Sequence, residues 1–174
     1  MQPSLPPINS SLMHITTWNI RGCQSALKNH LLSLKNHLLK RRIDRDKSGI
    51  IFLQETKCSG EELASIARKV WKGCESVAVD ARGAAGGLGI LWKLREVHLS
   101  GFLATPCTLT ADFHIISTRI RGVISNVYGP PRAEQKPAFL ESLTDLKSLV
   151  QDKAWIVGGD FNLIRILDEK KGGI

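Results

Sequence analysis

Apolar residues recur along this chain in short runs suited to strands and in longer stripes suited to helices, and the two kinds alternate. Ile15-Thr16-Thr17-Trp18-Asn19-Ile20 reads as a first strand, stopped by Arg21-Gly22. The second is Gly49-Ile50-Ile51-Phe52-Leu53-Gln54-Glu55-Thr56. Every position from Ile50 to Leu53 is apolar, which predicts burial on both faces. Further strands are expected over 76–79, 87–92, 97–102 and 113–118. The last of these turns into an antiparallel partner, Gly122-Val123-Ile124-Ser125-Asn126-Val127-Tyr128, stopped by Gly129-Pro130-Pro131. A final short strand, 154–157, runs into Gly158-Gly159-Asp160-Phe161-Asn162.

Three helices fall between these runs. The first, 25–42, contains a direct repeat: Leu27-Lys28-Asn29-His30-Leu31-Leu32-Ser33 is followed by Leu34-Lys35-Asn36-His37-Leu38-Leu39-Lys40. Seven residues are nearly two helical turns, so Leu27, Leu31, Leu34 and Leu38 keep to one stripe. This is a local duplication absorbed by a helix. The second helix, 60–71, turns Leu63, Ile66, Ala67 and Val70 inward. The third, 134–151, spaces Phe139, Leu143, Leu146 and Val150 at i, i+4, i+7 and i+11. The glycine-rich stretch 83–89 lacks the Lys-Ser/Thr of a phosphate loop and predicts a hairpin turn. Periodicity alone therefore gives a mixed α/β domain with no interdomain linker.

The strand ends carry the chemistry. The runs at 15–20, 49–56, 122–128 and 154–160 each close on a polar side chain: Asn19, Glu55, Tyr128, then Asp160 with Asn162. Open α/β sheets gather their chemistry at strand ends, so four such tips point to one site. If the backbone stays extended past Asp160, Asp160 and Asn162 face the same side and Phe161 the other. A strand ending in an Asx-type turn is the alternative, since Gly, Asp and Asn are common turn residues. A few hard oxygen ligands, completed by water and substrate phosphate, are how proteins usually hold magnesium. Glu55 is the best candidate ligand, with Asn19 contributing its amide oxygen. Asp160 is placed to orient or deprotonate a water, and Asn162 and the Tyr128 hydroxyl to hydrogen-bond phosphate oxygens.

Charge points the same way. The chain carries 24 Lys and Arg against 16 Asp and Glu, a formal net charge of +8, which favours a polyanionic partner. Lys40-Arg41-Arg42 with Arg45 and Lys47 form a basic cluster suited to a nucleic-acid backbone or to a solvated helix end. Cys23, Cys58, Cys74 and Cys107 are widely spaced, which suggests free thiols in a reducing, intracellular setting rather than zinc ligands or a disulfide framework. Residues 1–13 hold three prolines and neither a signal peptide nor a membrane span, and are expected to be disordered.

Thr17-Trp18-Asn19-Ile20-Arg21-Gly22, Leu53-Gln54-Glu55-Thr56-Lys57, Asn126-Val127-Tyr128-Gly129-Pro130 and Gly158-Gly159-Asp160-Phe161-Asn162 together resemble the ordered motifs of the endonuclease/exonuclease/phosphatase superfamily. Within it, the apurinic-type endonuclease domain of plant LINE-type (non-LTR) retrotransposons is the most similar. Gly86-Gly87-Leu88-Gly89-Ile90-Leu91-Trp92 and Glu169-Lys170-Lys171-Gly172-Gly173 fit that subgroup. The resemblance implies an α/β sandwich, two mixed β-sheets packed face to face with helices outside. It also implies magnesium- or manganese-dependent cleavage of DNA phosphodiester bonds, with no organic cofactor and no membrane partner; the compartment stays open beyond intracellular, with the nucleus one option. Asn19 and Glu55 would be the metal-site residues, Tyr128 would contact the scissile phosphate, Asp160 would position the attacking water, and Asn162 would help hold the phosphate. The family's domain continues with further strands and a late Ser-Asp-His motif. Residues 14–174 are therefore expected to be a partial domain, incomplete at the C-terminus. Two other functions stay open: a basic nucleic-acid-binding relic without catalysis, and a phosphatase or phosphodiesterase of the same superfamily.

Overall fold

A computed structural model describes residues 13–22, 29–81 and 86–163. Its elements run β1 (His14–Asn19), α1 (Asn29–Asp46), β2 (Ser48–Gln54), α2 (Gly60–Val70), β3 (Cys74–Val79), β4 (Leu88–Lys93), β5 (Val97–Ala104), β6 (Thr108–Ile115), β7 (Arg121–Tyr128), a 3₁₀ turn (Ala133–Gln135), α3 (Lys136–Val150) and β8 (Trp155–Asp160). The strands form two four-stranded sheets, β1-β2-β4-β3 and β5-β6-β7-β8. Both sheets are mixed. β1 lies parallel to β2, and β7 parallel to β8, while every other pairing is antiparallel. The sandwich with outer helices expected from the motifs is the observed architecture.

β2 shows why the chain folds into layers. All seven of its residues are buried, as its unbroken apolar run predicts. Ile51 and Leu53 pack outward against Leu39 and Ile43 of α1 and Leu63 and Ile66 of α2. Ile50 and Phe52 point the other way, into the layer between the sheets, beside Ile90, Leu109 and Ile124. The period of two thus assigns alternate side chains to two separate cores. α2 begins on a capping box: Glu62 N–H donates to Ser59 Oγ at 3.3 Å, and Ser59 N–H donates to Glu62 Oε2 at 2.9 Å. Leu63, Ile66, Ala67 and Val70 are its buried face, as their spacing predicts.

Several boundaries differ from the sequence reading. α1 runs on to Asp46, because Arg42 and Arg45 both reach Asp46 and close the last turn, at 3.1 and 2.6 Å. Residues 23–28, and with them the expected start of this helix and Leu27, lie outside the described residues. On the described part of the repeat, Leu38 is exposed while Leu39 and Ile43 are buried, so the core-facing stripe runs through Leu39. The strand expected over 113–118 is β6, which starts at Thr108 and ends at Ile115. Its polar threonines, Thr108 and Thr110, are buried, which hid the strand's first half. The third helix opens as a 3₁₀ turn before Lys136, and Phe139, Leu146 and Val150 are its buried positions. Residues 1–12 and the polar tail beyond 163 lie outside the described residues.

A fully buried polar side chain joins the sheets behind the strand ends. Asn126 on β7 is fully buried and its Nδ2 donates to the backbone carbonyls of Leu53 on β2 and Gly89 on β4, both at 2.9 Å. Its Oδ1 accepts from Gln54 Nε2 at 2.6 Å. Gln54 in turn donates to Thr17 Oγ1 at 3.0 Å, so the link extends to β1. Asn126→Leu removes every bond made by this amide and leaves the Gln54 amide buried without one of its partners. The expected loss is about 3 kcal/mol of unfolding free energy, read as a lower urea midpoint at unchanged slope.

Candidate active site

Two β-α-β units place the polar tips. β1 and β2 are parallel neighbours joined through α1, and β7 and β8 are parallel neighbours joined through α3, so each pair ends at the same side of its sheet. Asn19 is level with Gln54 in one pair, and Tyr128 is level with Asp160 in the other. β1 and β2 face β8 and β7 across the sandwich, which brings the four ends together.

The chain leaves these strands abruptly. Among the described non-glycine residues, seven have positive φ, and four of them stand here: Arg21 (52°), Glu55 (51°), Lys57 (53°) and Asn162 (48°). Left-handed conformations of such residues cost energy and cluster where the fold over-determines them. Here the backbone holds them. Gly22 N–H donates to Glu55 O at 2.6 Å, and Thr56 and Lys57 N–H donate to the carbonyls of Gly87 and Gly86 at 3.2 and 3.1 Å. Gly159 is a close approach of the kind the sequence suggests. Its φ is 142°, and a Cβ there would run into the Val127 carbonyl.

The five expected site residues all meet. Asn19 Nδ2 donates to Glu55 Oε1 and to Asp160 Oδ2, each at 2.8 Å. Tyr128 donates its hydroxyl to Glu55 Oε1 at 3.0 Å. Asp160 Oδ1 accepts the Asn162 backbone N–H at 3.0 Å, and Asn162 Nδ2 donates to the Gly129 carbonyl at 2.7 Å. Of the two backbone readings left open past Asp160, the chain makes the Asx-type turn. The turn nevertheless keeps Asn162 at the site by anchoring its amide on the β7 end. Lys57, which sequence reasoning left without a role, stands 3.5 Å from Glu55 Oε2. Asn126 and Gln54, also unassigned, hold the strand ends from behind. A polar side chain inside an otherwise apolar strand was the signal for both. Asn19, Asp160 and Asn162 line an open cleft of about 600 Å³ with Thr17, Gln54 and Pro131.

Electrostatics fix the protonation of two groups. The Asn19 amide holds the Glu55 carboxyl below its ordinary value of 4.5, with Tyr128 and Lys57 adding to the effect and burial opposing it. Burial pushes the Tyr128 hydroxyl up, and the Glu55 carboxylate pushes it further, so at neutral pH Tyr128 is a donor. Two carboxylates, Glu55 and Asp160, stand on either side of Asn19 Nδ2 and offer hard oxygens that fit a divalent cation, with Glu55 already charged to receive it. The Asn19 amide oxygen, expected as a ligand, instead accepts the Arg21 backbone N–H at 3.1 Å, so Asn19 meets the carboxylates through its NH2 group. Among the described residues no group of three His, Cys, Asp or Glu could hold a metal ion. The described histidines stand elsewhere. His14 contacts the Asp46 carbonyl at the start of β1, and His98 faces His114 across β5 and β6.

With Glu55 depressed in the folded state, its contribution to stability is complete above the ordinary carboxylate pKa of about 4.5 and is lost as pH falls through the lower folded-state value. Asn19→Ala removes the largest cause of the depression. Urea unfolding followed from neutral into this acid range should show a shallower pH dependence in Asn19→Ala than in the parent.

A sequence profile described as the endonuclease/exonuclease/phosphatase family matches residues 16–172. No curated protein matches. Solved structures share the fold at low identity. A Bacteroides thetaiotaomicron mannosyl-6-phosphatase aligns at 14% identity and TM-score 0.69 over 87% of this chain and 66% of its own. The D. rerio TDP2 complexed with single strand DNA product aligns at 15% and 0.64 over 86% and 60%. An AP endonuclease from Leishmania major aligns at 18% and 0.59 over 83% and 53%. The chain thus spans 53–66% of the length of these three structures.

Proposed function

The chain belongs to the endonuclease/exonuclease/phosphatase family, and on that premise we propose that it is a divalent-metal-dependent endonuclease that hydrolyses DNA phosphodiester bonds, of the apurinic type found in plant LINE retrotransposons. The observation that carries this reading is the Asn19 amide, bonded at 2.8 Å to both Glu55 and Asp160. It sets the residue suited to a cation next to the residue suited to a water.

Glu55 would hold magnesium or manganese, its carboxylate fixed by the Asn19 amide. When bound, the ion would polarise a phosphoryl oxygen and offset charge on the leaving oxygen. Asp160, fixed by Asn19 and by the Asn162 backbone, orients a water against phosphorus and takes its proton. Asn162, pinned to Gly129, and the protonated Tyr128 hydroxyl hydrogen-bond the non-bridging oxygens as charge develops there. Lys57 adds positive charge beside Glu55. DNA as the substrate is supported by the open cleft, by the net charge of +8 and by the LINE-like motifs.

A second reading, DNA binding without cleavage, is favoured by one observation: among the described residues no histidine lines the cleft. Nicking of supercoiled plasmid in magnesium separates the two. The expected result is nicking that EDTA abolishes and that Glu55→Ala and Asp160→Asn each slow by about 10²–10⁴-fold in variants whose circular dichroism shows them folded at the assay temperature. Salt-sensitive DNA binding without nicking selects the binding protein. Hydrolysis of a small phosphate monoester without nicking selects a phosphatase.

A further inference from the structure

Among the described residues, a groove larger than the cleft at the strand tips lies elsewhere. It measures about 780 Å³ and lies where β1 and β2 begin. Lys47, on its rim, immediately precedes β2, whereas Glu55 immediately follows it. The seven residues of β2 separate the two, eight steps or roughly 26 Å at about 3.3 Å per residue. The groove and the candidate active site therefore occupy opposite ends of the sandwich.

Six cations line this groove: Lys40, Lys47, Lys69, Lys72, Lys93 and Arg95. They come from three separate stretches of chain, the end of α1, the end of α2 and the β4–β5 turn, so no single helix face explains them. Two carboxylates, Asp44 and Glu96, share the lining. Among the described residues only Lys93 of the six has a carboxylate within ion-pair distance, Glu96 at 3.0 Å. The others crowd like charge around a concave surface with a low-dielectric floor of Ile43, Val70 and Trp71, which focuses positive potential. The contrast lies across α1. The recess of about 420 Å³ around Trp18 also holds three arginines, but Asp46 pairs with two of them.

We propose that this groove is a second nucleic-acid site, separate from the cleft, that tracks the phosphate backbone of a single strand. The surface is concave, which suits a strand better than the plane of a membrane. Five of the six cations are lysines, point charges suited to phosphates rather than to base edges. The lining aromatic, Trp71, is 5% exposed and sits under Lys93, so it offers no stacking platform. Binding here is therefore backbone-driven, salt-sensitive and indifferent to sequence. It does not depend on cleavage at the other end of the molecule.

The test is fluorescence anisotropy of a labelled single strand of about 20 nucleotides with the full chain in EDTA, between about 50 and 200 mM salt. In EDTA, binding is read whether or not the protein is a nuclease. The variants are Lys69→Ala/Lys72→Ala/Arg95→Ala, all at exposed positions, and the charge-keeping Lys69→Arg/Lys72→Arg/Arg95→Lys. The alanine variant should bind at least about tenfold more weakly at the low-salt end. Its plot of log affinity against log salt should be shallower by about 2, the value for three lost single-strand phosphate contacts. The charge-keeping variant should bind like the parent. Should the alanine variant fail to melt like the parent, Lys72→Glu alone gives the same reading. Unchanged affinity and slope in the alanine variant, or in Lys72→Glu, would overturn the proposal. So would a defect confined to anionic vesicles or to polyglutamate, which would assign the groove to a membrane or an acidic protein.

Discussion

A single buried amide ties this sandwich together. Asn126 belongs to one sheet and spends its side chain on the other, bonding Leu53 O, Gly89 O and Gln54. Apolar side chains between the sheets supply most of the attraction, but that attraction has no direction and tolerates sliding. Hydrogen bonds to two fixed carbonyls do not. A displaced Asn126 would leave several polar groups buried and unpaired, so the amide fixes how β7 sits over β2 and β4. Tyr128 lies two residues further along β7, and Glu55 lies one residue beyond Gln54. The register that Asn126 sets is the register that delivers the Tyr128 hydroxyl to Glu55 at 3.0 Å.

The site also depends on departures from regular structure. Each sheet contributes one parallel pair, and each pair delivers its side chains to the same end of the sandwich. Strand geometry alone would send Glu55 toward the helix face, alternate to Gln54. Positive φ at Glu55 and Lys57, held by the Gly86 and Gly87 carbonyls, redirects the chain there. The Asx turn after Asp160 does the same for Asn162. The bonds among Asn19, Glu55, Tyr128 and Asp160 then keep two carboxylates close together with one shared donor between them, which matches the family's use of divalent ions.

The molecule is electrostatically divided along its strands. Carboxylates meet amides and one lysine where β1, β2, β7 and β8 finish. Lysines collect where β1 and β2 start. α1 and α2 contribute to this division through their ends, because Lys69 lies in the last turn of α2 and Lys47 and Lys72 just past the ends of α1 and α2, where cations are favoured by the helix dipole. A placement that stabilises helices thus also builds a basic groove.

The sequence by itself determined what depends on neighbours along the chain. β2 was legible from four successive apolar residues, α2 from its i, i+3, i+4 face, and the strand tips from polar residues that stop apolar runs. Asn19, Glu55, Tyr128, Asp160 and Asn162 are therefore legible in the chain alone, and the ordered motifs pointed to the two-sheet sandwich. The rest required three dimensions. β6 was misplaced because its buried threonines read as surface. The inward stripe of α1 passed through Leu39 because packing, not the repeat, chose the face. Asn126 gained its role only through Leu53, 73 positions away, and Lys57 only through the bend that ends β2. The basic groove existed only once three distant segments met. Local propensity is encoded along the chain, whereas hydrogen bonds between sheets and charge gathered from separate elements are decided only when the layers close.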